Sequence, residues 1–210
     1  PDLPSDRLPA LTRARLLLSD NSEILGLAAT IAAAIVFFSF ASPFFFDINN
    51  FYNIGRAVAV FGIVAAVSTI VLISGGLALS LSAVMALGGV VAAQVLGVVD
   101  NTVLGLLAAV AAGALAGLFN VLLIVKVGIN PLIATIGTQF AIRGAIFMGT
   151  GAVPISVFRF DNFMWLGNGS IVGFPTAVLI LIAVFVTVGL VMHFTRFGSR
   201  VYAIGGSEVA

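Results

Sequence analysis

The feature that most constrains this chain is the length of its apolar blocks. Residues 24–41, 103–125, 132–148 and 171–193 are each predominantly apolar. Residues 57–99 form a longer block whose polar interruptions are Ser/Thr, Gln94 and the pair Gly75-Gly76. A helix needs about 20 apolar residues to cross a bilayer. The long block therefore reads as two spans, 57–73 and 77–98, with the glycine pair as the hinge between them. Six spans result. Composition argues the same way: 61% of residues are hydrophobic and only 8% charged, against roughly 45–50% and 25% in soluble domains. A compact soluble fold would lack polar groups to cover its surface. Disorder is excluded too, since it requires low hydrophobicity and many charges.

Each crossing is expected to be helical, because a helix satisfies its own backbone groups in hydrocarbon. A β-barrel would need segments of about 10 residues alternating apolar and polar, and these blocks do not alternate. The predicted fold class is all-α, a polytopic transmembrane helix bundle with about six spans and a broken or re-entrant helix near Gly75-Gly76. Six crossings return both ends to one side, placing Arg7, Arg13, Arg15, Lys126, Arg196 and Arg200 on one face and Arg56 and Arg159 on the other. The positive-inside rule makes the first face cytoplasmic. Aromatics in the opposite loops (Phe44, Phe45, Phe46, Tyr52, Phe158, Phe160 and Trp165) suit the headgroup interface. The polar start lacks the h-region and cleavage site of a removed signal peptide. Residues 1–22 are read as a cytoplasmic tail, 23–195 as the transmembrane domain and 196–210 as the start of a cytoplasmic coupling segment.

Several chemistries lack their residues. With no Cys there is no thiolate nucleophile and no Cys-ligated zinc. The single histidine, His193, excludes a two-histidine zinc helix and reads as an interfacial side chain. The only lysine, Lys126, is followed by Val127, so no Gly-Lys-Ser/Thr phosphate loop exists. The eight carboxylates lie in termini or loops, which lowers the case for a proton- or sodium-driven carrier. A membrane-embedded enzyme would need a cluster of acid, base or nucleophile within the spans, and none is visible. No catalytic or metal residue is assigned. A net charge of +1 gives no suggestion of nucleic acid. Arg143 is the one charge well inside a span, roughly 18 Å along its helix from Pro131. It reads either as a group lining a path or tying helices, or as an arginine snorkelling to the outer interface. Ala109, Gly113 and Gly117 recur every four residues, a stripe that lets a neighbouring backbone approach closely. Ser74, Gly75, Gly76, Ser80 and Ser82 concentrate flexible backbone and hydroxyls, as either a cavity-lining break or a plain turn.

Asn130-Pro131-Leu132-Ile133-Ala134-Thr135-Ile136-Gly137-Thr138 resembles the membrane subunits of ribose-type ABC importers, in the branched-chain amino acid/sugar permease superfamily. The likeness continues through Arg143-Gly144, Thr150-Gly151-Ala152-Val153-Pro154-Ile155, Thr195-Arg196-Phe197-Gly198, Val201-Tyr202-Ala203-Ile204-Gly205-Gly206 and Glu208. Upstream, Ile73-Ser74-Gly75-Gly76-Leu77, Leu79-Ser80 and Val84-Met85-Ala86-Leu87 match the family's glycine-pair segment. The resemblance covers about residues 50–210. It departs at Ala78, where an acidic residue is common, at Ser82, where glycine is common, and at Val153, where arginine is frequent. The family has about ten crossings, so the chain is expected to be an N-terminal portion.

The resemblance implies a permease subunit that is not itself an enzyme and binds no cofactor. It would translocate a monosaccharide across the bacterial inner membrane by alternating access. Its implied partners are an ABC ATPase that uses the ATP, an extracytoplasmic sugar-binding protein, a second permease subunit as a homodimer, and lipid. The alternative is a permease for branched-chain amino acids or nucleosides; a passive channel ranks lower. A neutral sugar calls for hydroxyl and amide partners, so Ser80, Asn130, Thr135, Thr138 and Gln139 are path candidates, with Arg143 and the hinge Gly75 and Gly76. Gly205, Gly206, Ser207, Glu208 and Ala210 match the loop that docks on the ATPase in the family. Ser207 would be an N-cap there, and an ordinary polar turn is the alternative.

Overall fold

A computed structural model describes residues 22–206. The described residues fall into two compact units that divide between Phe51 and Tyr52. The first unit contributes helix α1 (Ser22–Ala41) and the beginning of α2 (Ile48–Ile73). In α1 the apolar stretch is Gly26–Ala41, and the hydroxyls of Thr30 and Ser39 donate to the carbonyls one turn back. After the turn at Ser42-Pro43, Asp47 opens α2 by accepting the Asn49 amide at 2.8 Å.

The second unit continues through α2 to α3 (Leu81–Val99) and α4 (Thr102–Val121). A π-turn at Leu122–Lys126 and α5 (Pro131–Thr150) follow. Then come the short α6 (Asp161–Asn168), a hairpin of β1 (Ser170–Ile171) and β2 (Phe174–Pro175), α7 (Thr176–Phe194) and α8 (Arg196–Gly206). Five helical stretches among the described residues are long and apolar enough to cross a membrane: Ile48–Ile73, Leu81–Val99, Thr102–Lys126, Pro131–Thr150 and Thr176–Phe194. The expected all-helical polytopic architecture is present. The two-residue strands are its one β element in the described residues.

Three boundaries differ from the hydropathy reading, each for a physical reason. Helix α2 begins at Ile48 rather than 57, because Asn49, Asn50 and Asn53 are polar yet helical; hydropathy reports contact with lipid, not helix. The span expected from 77 begins at Leu81. The chain leaves α2 in a Schellman closure, in which Gly76 N–H donates to Val71 and Gly75 N–H to Leu72. Gly75 takes the left-handed conformation that motif needs (φ +80°). The span expected from 171 begins at Thr176, because Val172 (φ 50°) and Gly173 (φ 81°) form a left-handed hairpin turn.

Small residues let the helices approach. Helix α3 packs along α4 and also touches α5, with Ala83, Ala92, Ala93, Ala116 and Ala134 buried. The Ala109/Gly113/Gly117 stripe is partly an internal seam. Gly88 faces Ala109, a Cβ on Gly113 would lie 3.6 Å from Val84, and Gly117 faces open space. Against α7, a Cβ on Gly55 of α2 would lie 3.1 Å from Val178. With little difference in apolarity between lipid and helix, such close packing supplies much of the association energy.

Candidate functional site

Helix α2 ends at Ile73 against Gly205 of α8, and α7 ends at the one-residue corner into α8, so the starts of α2 and α7 mark the far end. The far end is tied by arginines. Arg56 Nη2 donates to the Asn168 carbonyl at 2.7 Å, and Arg159 Nη2 to the Gly97 carbonyl at 3.2 Å. Both carbonyls lie in the last turn of their helices, where cations are favoured. Of the loop aromatics expected at the interface, Phe158 and Trp165 are exposed. Phe160 is instead buried, with Arg159 4.6 Å over its ring.

The polar groups converge at the end near α8. Ser80 immediately precedes α3 and is 3% exposed. It makes no capping bond; its Oγ accepts from Asn120 Nδ2 of α4 at 3.0 Å. Asn120 Oδ1 is buried with no partner. Thr135 of α5 is also buried. Its hydroxyl donates to the Pro131 carbonyl at 2.8 Å and lies 3.5 Å from the Leu77 carbonyl. One turn further on, Thr138 donates to Ala134 at 2.8 Å. It lines an open groove of about 390 Å³ among Leu87 of α3, Ala112 and Phe119 of α4, and Ile142 of α5. The non-helical residues 74–80 thus bring the Leu77 carbonyl and the Ser80 hydroxyl to a seam built from α3, α4 and α5.

Of the path candidates, Ser80 lies in the segment that follows Gly75 and Gly76, and Thr135 lies against the Leu77 carbonyl of that same segment; Thr138 is one turn further along α5, with its hydroxyl on Ala134. The structure does not bring in the other path candidates. Asn130 is exposed, and its side chain caps α5 by accepting the Leu132 amide at 2.9 Å, with Pro131 in the first turn. Gln139 is half-buried and Arg143 is exposed, one turn apart on α5. Asn120 is the residue the sequence reading missed. An amide inside the apolar run 103–125 was its available signal, because a polar group at that depth needs a partner. Among the described residues no group of three or more His, Asp or Glu is placed to hold a metal ion.

At the α8 corner, Thr195 alone separates α7 from α8. Its hydroxyl donates to Val191 at 2.6 Å, and its Oγ1 lies 3.4 Å from the Gly198 amide. A Cβ on Gly198 would overlap the Met192 carbonyl, and one on Gly205 would overlap the carbonyl of Ile73, the last residue of α2. Gly206 has open space around its Cα. Ser207, Glu208 and Ala210, and with them the N-cap expected at Ser207, lie outside the described residues. The segment expected to open a coupling region at 196 is an 11-residue helix in the structure.

Bilayer-length helices, small-residue seams and a neutral polar cluster at a helix break define a multi-pass helical membrane protein. The chain belongs to the family described as branched-chain amino acid transport system / permease component, whose model matches residues 50–210. It is similar to the ribose import permease protein of Escherichia coli, 35% identical over 196 residues, covering 92% of this chain and 60% of that protein. The ribose import permease protein of Bacillus subtilis is 35% identical over 177 residues, 84% of this chain and 55% of the relative. An L-arabinose ABC transporter permease protein of Azospirillum brasilense is 32% identical over 191 residues, 90% and 56%. The chain therefore spans a little over half the length of these relatives. No solved structure matches it.

Proposed function

We propose that this chain is part of a permease subunit of an ABC importer that moves a monosaccharide of the ribose type across the bacterial inner membrane by alternating access. The observation that carries the reading is the neutral polar seam of Ser80, Asn120, Thr135 and the Leu77 carbonyl, at a helix break in a chain similar to pentose permeases. Hydroxyl and amide groups suit a sugar, and no carboxylate is needed to bind it. Energy comes from ATP hydrolysed on a separate ATPase subunit, a reading supported by the similarity to proteins named as import permeases. The remaining partners are an extracytoplasmic sugar-binding protein and a second copy of the permease. The positive-inside rule applied to Lys126, Arg196 and Arg200 supports a cytoplasmic α8 end, with Gly205 and Gly206 on the side where the ATPase docks. Among the path candidates, Ser80, Thr135 and Thr138 contact the sugar, Gly75 and Gly76 shape the break, and Asn130 holds the start of α5.

A permease for branched-chain amino acids or nucleosides is the second reading, favoured by Ala78 in place of the usual acidic residue and by the family's description. Vesicles carrying the assembled transporter separate the two. Labelled ribose should accumulate inside only with ATP and binding protein present, and excess unlabelled leucine should leave that accumulation unchanged. Accumulation of leucine but not ribose would establish the second reading. Ribose flux without ATP would establish a channel.

A further inference from the structure

We propose that Gly205 is the transmission contact of this permease: through it, a force on α8 reaches residues 74–80 and the polar seam they carry. The inference rests on the importer reading and deepens it, by naming the positioning residue between the docking helix and the path.

Helix α8 is held at both ends. At its start, a single residue joins it to α7, and the Met192 carbonyl fills the space a Cβ on Gly198 would need. In its middle, Val201 is buried. At its end, the Ile73 carbonyl occupies the space a Cβ on Gly205 would need, and Ser74 Cα lies 3.5 Å from that same position. Ile73 is where α2 stops. Ser74, Gly75 and Gly76 close the helix by donating to Ile70, Leu72 and Val71. From there the chain runs as non-helical backbone to Ser80, whose hydroxyl meets Asn120. On the way, the Leu77 carbonyl faces Thr135.

The contact is backbone against backbone. No rotamer change can absorb a displacement there, so movement of α8 along the axis of α2 passes directly to Ile73. Between Ile73 and Ser80 stand six residues, of which Gly75 occupies a left-handed conformation (φ +80°). That is the place for a rigid-body shift to turn into a change of backbone torsion. Coupling between sites is carried by such contiguous packed contacts when they join an element with two arrangements.

Residues 1–210 contain no cysteine, so an introduced thiol is the only one in this stretch. Leu79 is exposed in the broken segment, so Leu79→Cys reports on its conformation. In vesicles of the assembled transporter, its reactivity toward a maleimide should differ several-fold between the nucleotide-free and vanadate-trapped states. In a Gly205→Ala background that difference should vanish. Ribose accumulation should fall about tenfold while ATP hydrolysis continues. Gly189→Ala, at a glycine with open space around it, should preserve both. Should Gly205→Ala fail to insert, spin labels at Leu72→Cys and Tyr202→Cys give a second measurement with Gly205 intact. Both positions are exposed, and their separation should stay constant through the nucleotide cycle, because the end of α2 and α8 move as one body. A separation that changes, a Leu79→Cys signal indifferent to nucleotide, or Gly205→Ala retaining the signal would each overturn the proposal. Failure of the importer reading itself would show differently, as no ATP-dependent uptake by the unsubstituted transporter, and would remove both.

Discussion

Gly198→Ala is expected to detach α8 from α7 and abolish transport while leaving the membrane spans in place. The added Cβ would meet the carbonyl oxygen, carbonyl carbon and Cα of Met192. These are backbone atoms on the preceding helix, fixed by the one-residue corner at Thr195. A side chain can rotate away from an intruding methyl; a helix end can only shift. Overpacking of this kind costs about 1–3 kcal/mol, enough to undo a corner held by the bonds Thr195 donates to the Val191 carbonyl, the weak cap at Gly198 and the burial of Val201. Arg196 and Arg200 would then become cleavable by trypsin in inverted vesicles at an enzyme concentration that leaves the parent intact. Transport activity would be lost with unchanged amounts of protein in the membrane. Equal protease resistance and equal transport would show that the corner does not hold α8.

The second large effect is expected at Asn120. Asn120→Leu leaves the Ser80 hydroxyl buried without its donor, at a cost of about 1–3 kcal/mol for a polar group so stranded. Removing both partners is cheaper than removing one. Ser80→Ala combined with Asn120→Leu should therefore be more stable than the two single changes predict, by about 1 kcal/mol, the range measured for hydrogen bonds between membrane helices. Thermal unfolding of the detergent-solubilised permease provides the cycle. Both single variants should also transport poorly, since either frees residues 74–80 from α4. Strict additivity in stability would mean that the 3.0 Å contact holds nothing together.

Fold class was largely legible because the bilayer imposes it. A span must be helical and of fixed length, so the apolar blocks located five of the crossing helices without any knowledge of packing. The boundaries were less legible, since hydropathy measures where lipid begins. The helical residues 48–56 carry three asparagines and Arg56, and they read as a loop. Val172 reads as membrane because it is apolar, although it sits in a hairpin turn with Gly173.

The site was legible only in part, for a reason specific to hydroxyls. Ser and Thr in apolar helices commonly satisfy themselves on a carbonyl one turn back. Ser68, Thr69, Thr138, Thr150 and Thr187 all do so here, at 2.7–2.9 Å. Hydroxyl count therefore says little about a path. What distinguishes Ser80 is that it lies outside a helix and has a cross-helix partner, and Asn120, unlike Thr, has no such local outlet for its whole amide. Asn130 was legible as a residue of consequence but not as a cap until the helix start was placed. The glycine pair was legible as the interruption of the long apolar block and again in the family resemblance; its Schellman geometry, and the way Gly205 packs against the Ile73 carbonyl, emerge only in three dimensions.

The account depends most on which end of the bundle faces the cytoplasm, and labelling with a membrane-impermeant maleimide tests that directly. Two single-cysteine variants suffice, Arg200→Cys on α8 and Phe158→Cys at the opposite end, both exposed positions. In intact cells Phe158→Cys should react and Arg200→Cys should react only after permeabilisation. The reverse pattern would place α8, Gly205 and the break at residues 74–80 on the side away from any nucleotide-driven partner, and would contradict the account.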